Sequence, residues 1–331
     1  MHLQRLILLT LLLFTLSIRA FSQPGDQGRT QISEEHLPKH QSPQKIVVVT
    51  GARFSYKLIE KWIDRYSREN PHVQIIVEAR GSADPLNYDI LAEVYEHDEE
   101  VAITRQYLYV ARYAILPVAT QGSLFARHYL DKGLNNETIS EVFFHNIFRE
   151  NGRRPSIPQP FTVYTRLQKA GVPKIFAEYF GRWQKDIRGT AIAGADSHLL
   201  KALLRDSAGV SYLPLALIYD EKTRQPIPGL SVLPVDLNGN KKVSDDEKFY
   251  DNLDAVIEKF AGMNAGEIRN IPIAHLHLSI PRENASVDAV EFLKWVNERG
   301  QEDLHEYGYL RADPKKFTKE TFENFADKRE K

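Results

Sequence analysis

Residues 45–79 restrict the fold more than any other stretch of the chain. "KIVVVTG" (45–51) is an apolar, β-branched run that reads as a buried strand closed by a glycine. Beyond Gly51, the residues Leu58, Ile59, Trp62, Ile63 and Tyr66 recur on one helical face, and Asn70-Pro71 stops the helix. "VQIIVEA" (73–79) is a second strand. Strand, helix and strand on such short links form a βαβ unit, so the expected class is α/β with mainly parallel sheets.

The same alternation continues downstream. "YAILPVA" (113–119) reads as a strand, with Pro117 marking where it leaves the sheet. Helices are expected over 137–149, over 173–185 behind Pro173, and over 198–206, with a strand at "FTVYT" (161–165) and a strand-like run over 209–218. Two lobes joined by extended crossings at about 113–119 and 211–218 account for this order. Residues 45–116 and 218–312 would make lobe 1, and 117–217 lobe 2. A helix over 286–300, with Val287, Val290, Phe292, Leu293 and Trp295, would close lobe 1. Residues 313–331 read as a charged amphipathic helix carrying Phe317, Phe322 and Phe325, and no internal repeat is visible.

The N-terminus indicates export. Arg5 precedes "LILLTLLLFTLSI", short for a membrane span but suited to a signal-peptide core. Ala20-Phe21-Ser22 gives a small-x-small cleavage pattern, so residues 1–22 are expected to be removed; an uncleaved anchor is the alternative. Residues 23–44, rich in Gln, Pro and His, read as a flexible leader in which His36 and His40 are solvated. The chain contains no cysteine, which excludes disulfides, thiol chemistry and a lipoprotein anchor. With 43 basic and 44 acidic residues there is no general attraction to nucleic acid, and any electrostatic recognition is local. A periplasmic product without a membrane anchor is expected.

"TVYTRLQKAGVPKIFAEYFG" (162–181) starts as a strand and finishes as a helix, with Arg166 ahead of a glycine turn. Such a junction suits an anion, because unpaired N–H groups point outward at a helix N-terminus. The stretch resembles the Arg-x-x-x-Ser-Gly-Thr ligand turn of the periplasmic phosphate-binding proteins, the solute receptors of ABC importers. "VARYAILPVAT" (110–120) with "GLNNETISEVFFHNIF" (133–148), "GVSY" (209–212) and "GQEDLHEYGYL" (300–310) are similar to further segments of that family in order and spacing. The resemblance implies two lobes closing on a small oxyanion such as phosphate, with an ABC permease as partner.

Carried over by position, the resemblance makes Arg166 the ligand arginine and retains Gly171, while Ala170 and Val172 stand where the family has Ser and Thr. The first ligand turn falls at Thr50, Gly51, Ala52, Arg53 and Phe54; a second lies near Gly81 and Ser82, and Asp89 aligns with the family's aspartate. A surface or salt-bridged arginine is the alternative for Arg166. Each missing hydroxyl removes a hydrogen bond worth roughly 1.5–3 kcal/mol when charge-assisted, so phosphate binding is expected to be weaker than the family's.

"DLNGNKKVSDDE" (236–247) follows a twelve-residue calcium loop. Asp236, Asn238, Asn240, the Lys242 carbonyl, Ser244 and Glu247 take the ligand positions, while Lys241 replaces the usual glycine at position 6. The alternative is an Asn-Gly turn followed by a helix start capped by Ser244. No organic cofactor is implied. Gly-x-Ser-x-Gly, Gly-x-x-x-x-Gly-Lys and His-Glu-x-x-His patterns are absent, and His275 and His277 share one strand face as a packed pair, so an enzyme is not expected. The remaining alternative is an exported sensory or interaction protein that keeps the scaffold without the ligand.

Overall fold

A computed structural model describes residues 46–78, 87–95, 104–145, 157, 160–168, 171–264 and 266–312. Residues 1–22, 23–44 and 313–331, expected as signal peptide, leader and terminal helix, lie outside them, as do Gly81, Ser82 and Ala170. None of the described helices is long and apolar enough to cross a membrane.

The opening βαβ unit forms as its pattern demands. β1 (Ile46–Gly51) pairs in parallel with β2 (Gln74–Val77), and between them α1 (Tyr56–Glu69) buries Leu58, Ile59, Trp62 and Tyr66. The Trp62 indole N–H donates to the Gly300 carbonyl at 2.8 Å, and the Tyr66 ring meets Phe292 and Trp295 edge-on. These last two belong to α8 (Val287–Glu298), so segments far apart in sequence share one core. Removing Trp62 would cost about 3–5 kcal/mol.

The ten described strands form one connected sheet, eight of them in a single path and two added beside it. β3 (Ile90–Glu93) extends β1 in parallel, and β9 (Ile273–Pro281) follows it antiparallel. Next comes β4 (Arg105–Thr120), a 16-residue strand that links the two parts of the sheet. Its first stretch, through Ala114, pairs with β9, and Arg112 and Ala111 also pair with β10 (Leu310–Arg311). Its second stretch pairs with β7 (Gly209–Pro214) and β8 (Leu230–Val232). β7 leads in parallel to β5 (Thr162–Arg166), and β5 to β6 (Thr190–Ile192). The sheet is therefore mixed α/β, parallel at both ends and antiparallel where β9, β4 and β7 meet.

Pro117 departs from expectation: β4 runs straight through it, opposite Tyr212 of β7. On its other edge the strand passes from β9, last pair Ala114 with Ile273, to β8, first pair Val118 with Val232. The N–H that proline lacks falls at this hand-over, while its carbonyl accepts from Leu233 N–H at 3.0 Å.

The helices α2 (Leu124–Lys132), α3 (Asn136–Phe144), α4 (Gly171–Tyr179) and α5 (Asp196–Arg205) accompany the β5 side of the sheet in sequence. The run expected to be strand-like to residue 218 turns at Pro214 into the short helix α6 (Leu215–Ile218). α7 (Leu253–Ala261) precedes β9. His275 and His277 pack against the rings of Tyr107 and Tyr109 at centroid distances of 4.9–5.5 Å.

Candidate functional site

The end of β1 is a tight turn whose polar groups are used at home. Gly51 has φ +129°, and a Cβ there would lie 2.0 Å from the Ala92 carbonyl oxygen, so the approach of β3 requires glycine. Its N–H donates to the Tyr56 hydroxyl at 3.1 Å. The Thr50 hydroxyl is buried and donates to the Glu78 carbonyl at 2.7 Å. Ala52 N–H donates to the Ala92 carbonyl at 2.7 Å. Phe54 turns inward, its ring 5.1 Å from that of Tyr113. Arg53 alone extends outward, exposed and with no hydrogen-bond or ion-pair partner among the described residues.

The end of β5 is built differently. Arg166 closes the strand beside Ile192 of β6, and its Nη1 donates to Asp196 Oδ1 at the first turn of α5. Both side chains are mostly buried, 15% and 18% exposed, and Arg166 Nε is buried without an acceptor. Gln168 Oε1 accepts from Gly194 N–H at 3.2 Å. Gly194 has φ +97° and lies against the His198 ring, whose Nδ1 accepts from Ala195 N–H at 3.2 Å. Beneath Arg166, the hydroxyls of Thr165 and Tyr212 are 2.5 Å apart. Burial pushes the Tyr212 hydroxyl well above its ordinary pKa, with Thr165 and Arg166 acting in the opposite direction, so it stays protonated.

Gly51, Arg53, Arg166, Gln168, Gly194 and Asp196 line an open cleft of about 330 Å³ beyond the C-terminal ends of β1 and β5. Open α/β sheets bind ligands at this kind of place. Of the residues expected from the sequence, the cleft unites Gly51, Arg53 and Arg166. Thr50, Phe54 and Val172 are turned into the core, and Ala52 packs partly against it. Gly171 opens α4 but is buried, and a Cβ there would lie 2.0 Å from Val94 Cγ2. Asp89 serves the sheet: its Oδ2 accepts from Val48 N–H at 2.9 Å. Gln168, Gly194 and Asp196 were missed. "GAD" ahead of an amphipathic helix was the available signal for the last two, since an acid in a first turn favours the helix dipole. Among the described residues, two guanidinium groups against one carboxylate give the cleft lining a net positive charge.

In the 236–247 loop, Asp236 Oδ1 accepts from Gly239 N–H at 2.7 Å and Oδ2 from Lys241 N–H at 2.8 Å. Glu247 Oε1 accepts from Leu237 N–H at 2.7 Å, and Oε2 from Ser244 N–H and hydroxyl at 2.9 and 2.7 Å. Asn238 and Asn240 side chains accept from Asn240 and Lys242 N–H. Lys241 has φ +69°, the left-handed conformation that position 6 of the pattern demands. Among the described residues no group of three or more His, Cys, Asp or Glu side chains is arranged to hold a metal.

No family model matches the chain, and no curated protein matches it. Solved structures do. A putative phosphate ABC transporter substrate-binding protein with bound phosphate from Clostridium perfringens superposes with a TM-score of 0.59 at 13% identity, covering 81% of this chain and 100% of that one. An ABC-type phosphate transport receptor from Vibrio cholerae gives a TM-score of 0.52 at 15% identity, with coverage of 81% and 100%. The chain thus has a phosphate-binding-protein-like fold, the two-lobed solute-binding type.

Proposed function

We propose that this protein is an exported, periplasmic solute-binding protein of the phosphate-binding type that holds a small oxyanion between two lobes. The observation that carries the reading is the convergence of Arg53 and Arg166 on one cleft against, among the described residues, the carboxylate of Asp196. Arg53, free of partners among the described residues, is placed to close on a ligand, while Arg166 is held by Asp196. In this reading residues 45–116 and 218–312 form one lobe and 117–217 the other, an ABC permease is the partner, and no reaction is catalysed. The signal peptide of residues 1–22 would be cleaved after Ser22, which intact-mass measurement of the periplasmic protein checks. The 236–247 loop would hold calcium weakly through Asp236, Asn238, Asn240, the Lys242 carbonyl, Ser244 and Glu247; the residue pattern and the Lys241 conformation support it.

A second reading has a specific observation in its favour. Val172 lies in the core and the Gly51 N–H is bonded to Tyr56, which fits a scaffold that serves sensing or interaction without phosphate. Calorimetric titration with phosphate, sulfate and small carboxylates separates the two. Saturable binding that disappears in Arg166→Ala supports the anion site, whereas silence toward all three at millimolar concentration overturns it.

A further inference from the structure

Three of the cleft-lining donors are already occupied by oxygens of the chain itself. Gly51 N–H holds the Tyr56 hydroxyl, Gly194 N–H holds Gln168 Oε1, and Arg166 Nη1 holds Asp196 Oδ1. Asp196 differs from the other two because it carries a full charge. It sits where an anion would be most stable, at the N-terminal turn of the ten-residue α5 and against a mostly buried guanidinium. We infer that Asp196 is a resident counter-anion of the cleft, competing with the external ligand for Arg166 and thereby setting how strongly any oxyanion binds. This inference rests on the anion-site reading above.

The physical argument is one of charge and desolvation. A guanidinium 15% exposed cannot go unpaired cheaply, and Asp196 is the carboxylate that pairs with it. An incoming anion must either displace that carboxylate or lie beside it, and like charges in a shared site oppose one another. The net charge presented by Arg53, Arg166 and Asp196 is +1; neutralising Asp196 raises it to +2. Ligands that bring more negative charge gain most from that change. The alternative role for Asp196, accepting a hydrogen bond from a protonated oxygen of the ligand, predicts the reverse for a protonated anion.

Asp196→Asn preserves shape and removes the charge. The full mature chain would be titrated calorimetrically with inorganic phosphate and with sulfate, beside Asp196→Ser and Arg166→Ala. Both Asp196 variants are expected to bind both anions at least about tenfold more tightly than wild type. Without anions they should melt at lower temperature than wild type, because Arg166 has lost its partner, and sulfate should recover the difference. Tighter sulfate binding with weaker phosphate binding would overturn the inference and make Asp196 a ligand-proton acceptor, leaving the anion site standing. Unchanged affinities for both would overturn it equally. If the folded wild type binds no anion at millimolar concentration, the anion-site reading fails and the inference with it.

Discussion

The two strand ends that face each other across the cleft use the same sequence device, a strand running into a glycine-containing turn and a helix, and reach opposite results. At the β1 end the backbone is closed upon itself: Gly51 packs on Ala92, Thr50 bonds to Glu78, and one exposed arginine is left to act. At the β5 end the charges are fixed and mostly buried, with Arg166 and Asp196 locked together above the Thr165–Tyr212 pair. One side thus offers an exposed, unpaired charge and the other a positioned one. A cleft of this construction takes its geometry from the β5 side and leaves adjustment to Arg53.

That contrast is easiest to break at Arg166. Arg166→Ala is expected to weaken anion binding about 100-fold, whereas Arg53→Ala should weaken it only about five- to tenfold, because an exposed charge is screened by solvent. Equal losses in calorimetry would erase the proposed division of labour. Stability offers the next test. Gly51→Ala combines φ +129° with a contact against rigid backbone and should cost more than about 2 kcal/mol in urea unfolding. Gly194→Ala meets only the His198 side chain and should cost about 1–2 kcal/mol.

Smaller effects sharpen the picture. Val172→Thr would place a hydroxyl among apolar neighbours and should cost about 1–2 kcal/mol without strengthening phosphate binding by itself. Ala170→Ser is the change from which a gain in phosphate affinity is expected, alone or combined with Val172→Thr, and calorimetry of the single and double variants apportions it. The smallest effect belongs to the calcium-type loop: millimolar calcium should raise the melting temperature by about 1–3 °C, and Glu247→Gln should abolish the rise. A calcium response that survives both Asp236→Ala and Glu247→Gln would remove the loop from consideration.

The parts of the fold that could be read in the chain are those in which neighbours in sequence are also neighbours in space. The β1–α1–β2 unit is local, and periodicity places Leu58, Ile59, Trp62 and Tyr66 correctly because one helical face must be buried. β3 and the first half of β4 were not legible, since their partners lie up to about two hundred residues away and nothing local announces an antiparallel β9 between them. Pro117 misled for the same reason. Its tolerance depends on a change of partner strand that only the assembled sheet supplies.

By itself, the sequence determined the α/β class, the strand–turn–helix junctions at Gly51 and Arg166, and the polar spacing of the 236–247 loop. Each follows from residues close together in the chain and from the restricted conformations of Gly, Pro and β-branched side chains. Only the tertiary structure decided which of those residues share a cleft. It turned Thr50, Phe54 and Val172 inward, brought Arg53 within the same cavity as Arg166, and set Asp196 on the arginine thirty positions before it. Side-chain direction at a strand end depends on the neighbouring strand and on what the core leaves unfilled, and neither is encoded in any local pattern.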